Sequence, residues 1–266
     1  MLRKILPTLS VGAMSAMTGI CAFSGARAEQ PPPLAKPAIS EDAGAAVAQM
    51  ERTLSAPELS FTAKTIRVYL DEAGEPLHIF HTMKVVMRRP DRMEIQVNGD
   101  DGSRDLFYDG KSVSIFSPES KVYAVTAAPG GIASAVNEVV DKLNLDFPLV
   151  NFFATSSNQS LMQGVVGGWQ VGTANIDGIE CRHLFFYKRG GTDLELWVEN
   201  NNAAIPHRLI VTYRLLPGQP SFIAEFTNWD NQAHPSDSVF AFKPPSGAKQ
   251  VDFTPAVLSD EQGRPQ

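Results

Sequence analysis

LHIFHTMKVVMRRPDRMEIQV, residues Leu77 to Val97, reads as two neighbouring β-strands joined at Arg89-Pro90-Asp91. Strand side chains alternate between faces. In the first strand Ile79, Met83, Val85, Met87 and Arg89 share one parity. In the second, Met93, Ile95 and Val97 form an apolar face, while Arg92, Glu94 and Gln96 point the other way. The pair therefore offers a strip of flexible apolar side chains that ends in a cation on the same side. Such a strip suits a greasy concave surface with an arginine at its rim, and it suits an enzyme centre poorly.

Around this pair the chain is rich in short strands. A strand over Leu59–Leu70 precedes it, with an apolar parity that changes near Thr65, which suggests a bulge or a change of environment. Asn98-Gly99-Asp100-Asp101-Gly102 is a turn by composition. Short strands follow at Arg104–Tyr108, Ser112–Phe116 and Lys121–Thr126, with the close spacing of antiparallel meanders. The pattern then breaks. Ile132–Leu145 carries Val136, Val139, Val140 and Leu143 at helical spacing, and Pro148–Ala154 is a second short apolar helix candidate. Strands resume at Gly168–Asn175, Ile179–Lys188, Leu194–Glu199, His207–Leu215 and Phe222–Trp229. Ahead of the strands, Ser40 with Glu41 and Asp42 marks a helix start, and Val47, Met50 and Leu54 give that helix one apolar stripe.

The fold expected is mainly β with a few helices (α+β): one strongly curved antiparallel sheet of about 10–11 strands, with mid-chain helices placed to cover an open sheet or barrel mouth. Residues 38–255 form this domain. Residues 29–37 (EQPPPLAKP) read as a Pro-rich extended spacer, and 256–266 as a disordered tail.

Residues 1–28 read differently. Arg3 and Lys4 precede a mostly apolar run from Ile5 to Phe23, and Ala26-Arg27-Ala28 follows. A basic start, a greasy middle and an A-x-A site make a cleavable secretory signal peptide. The same run is long enough for a membrane anchor, but the small-residue exit and the polar, Pro-rich sequence behind it argue against one. Lipidation at Cys21 would want a small residue before it, and Ile20 stands there. Loss of the signal leaves Cys181 as the single cysteine, so no internal disulfide supports the exported fold. Without Arg3, Lys4 and Arg27, the 23 basic residues fall to 20 against 29 acidic ones, a net charge of about −9. That balance makes the chain a poor candidate for binding nucleic acid or anionic membrane surfaces. The destination implied is the periplasm.

Three stretches in order along the chain resemble the lipoprotein-carrier (LolA/LolB-like) superfamily. They are Arg89-Pro90 at the end of a long strand, Tyr108-Asp109-Gly110-Lys111 before an alternating strand and Ser117-Pro118, and the terminal F-x-F-x-P-P-x-G from Phe240 to Gly247. Within that superfamily Trp169–Gly178, Leu196-Trp197-Val198-Glu199 and Pro206–Tyr213 look like an uncharacterised family of predicted periplasmic proteins. The resemblance covers roughly Ile39 to Asp252. It implies an open antiparallel barrel with a helical lid over a hydrophobic cavity that shields lipid or lipoprotein acyl chains, with a membrane-anchored protein as candidate partner. It also implies that Arg89 holds the lid closed or meets a ligand head group. The aromatic that often follows the arginine in the carriers is replaced by Met93, so any closed-state contact there must differ. The helix and loop between Thr126 and Val166 depart from the carrier sequence.

The candidate ligand-binding residues are Met83, Val85, Met87, Met93, Ile95 and Val97, with Phe152 and Phe153 from the lid and Arg89 as clamp. Methionines suit a cavity that refits varied chains, and they suit an ordinary core equally well. Arg89 is also read as a solvated arginine at a turn, since Arg88 and Arg92 crowd the same spot. His78 and His81 lie on opposite strand faces, the other histidines are scattered, and no CxxC or HExxH occurs, so no metal or other cofactor is expected. No G-x-S-x-G is present, and Cys181 lacks a nucleophile's sequence context. The function expected is non-enzymatic binding of a hydrophobic ligand, as a carrier or, alternatively, as a sensing module that engages a protein partner. The oligomeric state is not legible.

Overall fold

The computed structural model describes residues 39–145, 147–150 and 160–258. The expected signal peptide, the spacer and the last eight residues of the expected tail lie outside these, as do Phe152, Phe153 and most of the Pro148–Ala154 helix candidate.

Helix α1 spans Glu41–Leu54. The Ser40 hydroxyl accepts from the Ala43 N–H, two acids occupy the first turn, and Ala43, Ala46, Val47, Met50 and Leu54 form its buried stripe. Six strands follow in meander: β1 Glu58–Leu70, β2 Pro76–Arg88, β3 Arg92–Gly99, β4 Gly102–Tyr108, β5 Ser112–Ser117 and β6 Val122–Ala127. Helix α2, Ile132–Leu143, comes next, and then a second meander. Its strands are β7 Val165–Ile176, β8 Ile179–Lys188, β9 Thr192–Glu199, β10 Pro206–Tyr213 and β11 Ser221–Asp230. The two meanders join where β11 pairs antiparallel with β1. The two-residue strand β12, Lys249–Gln250, adds in parallel to β6 at one edge. The sheet order is β12-β6-β5-β4-β3-β2-β1-β11-β10-β9-β8-β7, curled but not closed.

The expected open barrel with helices over it is the observed architecture, with 12 strands among the described residues rather than 10–11, and one parallel pair. The parity change near Thr65 is not a bulge. Leu59, Phe61, Ala63 and Thr65 are all buried on one face, and β1 runs in unbroken register with β2 from Glu58 to Leu70. The irregularity lies between Ser60 and Thr62, in the pairing with β11. Beyond Thr65 the apolar side chains of Ile66, Val68 and Leu70 simply occupy the other face.

The core fills the space between the concave face and the helices. Cross-strand partners share a face, so the register sorts the floor into rows. Met87, Met93, Tyr108 and Val113 form one row, and Val85, Ile95, Leu106 and Ile115 the next. Met83, Val97 and Arg104 form a third, and His81, Gly99 and Gly102 the last. The turn Arg89-Pro90-Asp91 closes the first end. There the Arg89 guanidinium donates to the Leu54 carbonyl at the end of α1 (3.0 Å), and its backbone N–H donates to Pro57 O (2.7 Å). The Pro90 carbonyl accepts from Ile132 N–H (3.0 Å), the first residue of α2. Tyr108, fully buried, accepts at its hydroxyl from Gly131 N–H (3.2 Å). One turn thus holds a terminus of each helix.

On the convex face a strap from the C-terminal segment covers β4–β6. Phe240 is buried beneath the Arg88 guanidinium, and Phe242 packs on Phe107, Phe116 and Tyr123 at 5.3–5.8 Å between ring centroids. The strap pairs with β6, then turns inward. A 3-10 turn at Pro255–Leu258 places Val257 fully in the core, with its carbonyl accepting from Ser117 Oγ (2.9 Å). Packing therefore continues past residue 255, where the tail was expected to begin.

A charged hydrogen bond to a helix terminus contributes about 1.5–3 kcal/mol. Arg89→Met is therefore expected to lower the unfolding free energy by about 2 kcal/mol, read as a shifted urea midpoint at unchanged slope. An unshifted midpoint would remove the clasp from the account of stability.

Candidate functional site

Between the floor and α2 lies a cavity of about 200 Å³. Met83, Ile95, Val97, Leu106 and Ile115 supply the floor, and Val136, Val139 and Val140 of α2 with Leu145 and Phe147 supply the roof. Leu258, carried in by the C-terminal turn, walls one side. Met87, Met93 and Tyr108 fill the end beside the turn completely, whereas the last row of the floor contains Gly99 and Gly102. Gly99 has no room for anything larger, because a Cβ there would stand 2.2 Å from the His81 ring.

The end at Gly102 is the polar one. His81, Asp101 and Arg104 line it. His81 Nε2 and Asp101 Oδ1 are 2.7 Å apart. Burial by itself would raise the Asp101 carboxyl, but the hydrogen bond and charge of His81, with help from Arg104, hold it below its ordinary value. Arg104 donates to Ser103 O (2.5 Å) and to Leu258 O (2.6 Å). Burial lowers its proton affinity, and Glu119 and Asp101 oppose that shift.

Met83, Ile95 and Val97 thus line the cavity, while Val85, Met87 and Met93 are buried beside it and do not. Phe152 and Phe153 lie outside the described residues. Arg89 sits at the closed end, where its guanidinium bonds the end of α1, and it does not line the cavity. The cation at the open end is Arg104. It shares its parity with Leu106 and Tyr108, so a charged residue on an otherwise apolar strand face was the available signal.

A second concavity, of about 330 Å³, lies on the convex face under the strap, among Asp109, Ser112, Ser114, Tyr123, Phe242 and Gln250. It is larger, but hydroxyl, amide and carboxylate groups interrupt its apolar wall, and it offers no continuous surface to a greasy ligand. The cavity under α2 is the better candidate on lining. Among the described residues, no group of three or more His, Cys, Asp or Glu is placed to hold a metal ion.

The model of a family described as "Predicted periplasmic protein (DUF2092)" matches residues 43–254. No curated protein matches the chain. Among solved structures, an uncharacterized conserved protein from Thermus thermophilus is similar over 80% of this chain and 99% of its own, at 9% identity and a TM-score of 0.47. Lipoprotein LppX of Mycobacterium tuberculosis is similar over 73% of this chain and 97% of its own, at 14% identity and 0.43. A LolA superfamily protein from Nitrosomonas europaea is similar over 75% and 97%, at 9% identity and 0.36.

The depressed Asp101 carboxyl predicts a pH effect whose sign is fixed. A carboxyl with a folded pKa below its ordinary 3.8 stabilises the fold fully above about pH 4, and that contribution fades as pH falls through the folded value. Asp101→Asn should therefore flatten the acid limb of a stability-against-pH curve below pH 4. An acid limb as steep as the wild type's would show that the pair with His81 contributes nothing there.

Proposed function

The chain belongs to the DUF2092 family of predicted periplasmic proteins, and from that premise we propose that it is an exported, non-enzymatic binding protein for a hydrophobic ligand. The observation that carries this reading is the cavity under α2, walled by apolar side chains from four strands, a helix and the C-terminal turn. A volume of 200 Å³ is somewhat more than the ~150 Å³ apolar cavity that accepts a benzene ring, and about seven times the ~30 Å³ share of one water. It is smaller than the ~300–1,000 Å³ typical of drug-sized ligands. One acyl chain fits, with six to eight carbons inside and any remainder projecting; a two-chain lipid does not.

Residues 1–28 direct export and are removed, and 29–37 lead the mature chain as a Pro-rich spacer. Among the described residues no helix is long and apolar enough to cross a membrane. Apolar burial drives binding. At ~0.8 kcal/mol per methylene, seven methylenes gain on the order of 5 kcal/mol, comparable to the cost of association. Exchange is therefore reversible, as carriage from one membrane-anchored partner to another requires. α2 forms the moving wall: its first turn is bonded to Pro90 and Tyr108, while Lys142 ties its last turn to Thr126 by one half-exposed hydrogen bond (2.7 Å).

The protein should be expressed from the full sequence, recovered from the periplasm without detergent, and its co-purifying molecules identified by mass spectrometry. Edman sequencing is expected to begin at Glu29, and a retained Met1 would turn residues 1–28 into an anchor. After delipidation, displacement of N-phenyl-1-naphthylamine by straight-chain alcohols should improve about fourfold per added methylene up to about eight carbons, then level off. A flat series, or no displacement at any length, would remove the cavity as the ligand site.

A further inference from the structure

The open end of the cavity holds a charge that the protein itself pairs only weakly. Arg104 is opposite Val97 and two residues from Leu106, so its stem runs along the apolar floor while its guanidinium lies at the edge. The side chain is 16% exposed. Its Nη hydrogen bonds go to neutral backbone carbonyls, those of Ser103 and Leu258, and its buried Nε has no hydrogen-bond partner among the described residues. The ion pair it does make, with Glu119, is long at 3.9 Å, and that carboxylate is 57% exposed and so screened by water. The other acid at this end, Asp101, is engaged by His81 at 2.7 Å. A guanidinium taken out of water wants a close carboxylate, and its planar fork matches one with two parallel hydrogen bonds. The carbonyl of Leu258 occupies one of those positions, and Leu258 is also a wall of the cavity.

Resting on the cavity being the ligand site, we propose that its ligand is a single-chain amphiphile ending in a carboxylate, with the chain over Ile95, Leu106 and Ile115 and the carboxylate on Arg104. The carboxylate takes the donor now given to the Leu258 carbonyl, so the Pro255–Leu258 turn yields as the head group arrives. The apolar chain supplies modest affinity, and the arginine selects which chain-bearing molecule is kept.

The test compares octanoate, octanol and octyltrimethylammonium, straight chains of about seven or eight alkyl carbons with different head groups, as displacers of the neutral probe N-phenyl-1-naphthylamine at pH 7. Octanoate should displace at about tenfold lower concentration than octanol, and the cation should be the poorest. In Arg104→Met the octanoate advantage should shrink to within about twofold while octanol is little changed. Arg104→Lys keeps the charge without the fork, should retain part of the preference, and serves if the methionine variant does not fold. Equal displacement by octanoate and octanol in the wild type would overturn this inference and leave the cavity reading standing. Displacement by none of the three would overturn both.

Discussion

Two helix termini meet at one turn of the sheet, and the geometry of everything beneath the helices follows from it. The carbonyl of Leu54 is one of the groups that the end of α1 leaves without an intrahelical partner, and the amide of Ile132 is one that the start of α2 leaves. Both are satisfied by Arg89-Pro90-Asp91, the first by the Arg89 side chain and the second by the Pro90 carbonyl. α2 has no side-chain cap of its own, its N-cap being Gly131, so the sheet provides what the helix sequence does not. Tyr108 adds its hydroxyl to Gly131 from the neighbouring strand. Because these donors and acceptors are inside the structure, breaking any one leaves a partner desolvated and unpaired, which costs more than the bond itself contributes.

With one end fixed, the side chains change in character from row to row. Two methionines and a tyrosine fill the row beside the turn, branched aliphatics the second, Met83, Val97 and Arg104 the third, and His81 with two glycines the last. The space between the floor and α2 lies over the second and third rows and ends in a wedge-like mouth at His81, Asp101 and Arg104. Gly99 cannot be enlarged to fill it, because a Cβ there would stand 2.2 Å from the His81 ring, and Gly102 has a positive φ of 103° that favours glycine. The histidine, aspartate and arginine at the wide end would be costly in a sealed core; at the mouth of a wedge they remain partly hydrated.

The alternation in Leu77–Val97 sufficed to identify the concave face, and the spacing of turns sufficed for the two meanders, because both are local properties of the chain. What was not legible is what depends on pairing between distant segments. The parallel addition of β12 to β6 and the entry of Val257 into the core join residues more than a hundred positions apart, and a short segment followed by a polar tail carries no periodicity to announce them. The rim of the cavity falls to Arg104 rather than Arg89 for a related reason. Parity runs only as far as the strand does, and Arg89 stands where the chain turns, so its side chain reaches along the end of α1 instead of over the floor. Arg104 obeys the alternation throughout, with Leu106 and Tyr108 as companions, and it escapes a reading of the sequence because its strand lacks the methionines that draw attention to β2 and β3.

The two ends of the floor therefore differ in how firmly they are held. At the narrow end, hydrogen bonds between buried groups hold α1 and α2 in place, and the side chains leave no space. At the wide end the contacts are of a kind that can be given up one at a time: one carbonyl on Arg104 and a few aliphatic side chains of α2 against the floor. A ligand chain that replaces those aliphatic contacts recovers much of what opening loses, and an acceptor that replaces the Leu258 carbonyl recovers the rest. On the proposed reading, the cavity would empty and refill at this end while the hydrogen-bonded closed end stays in place.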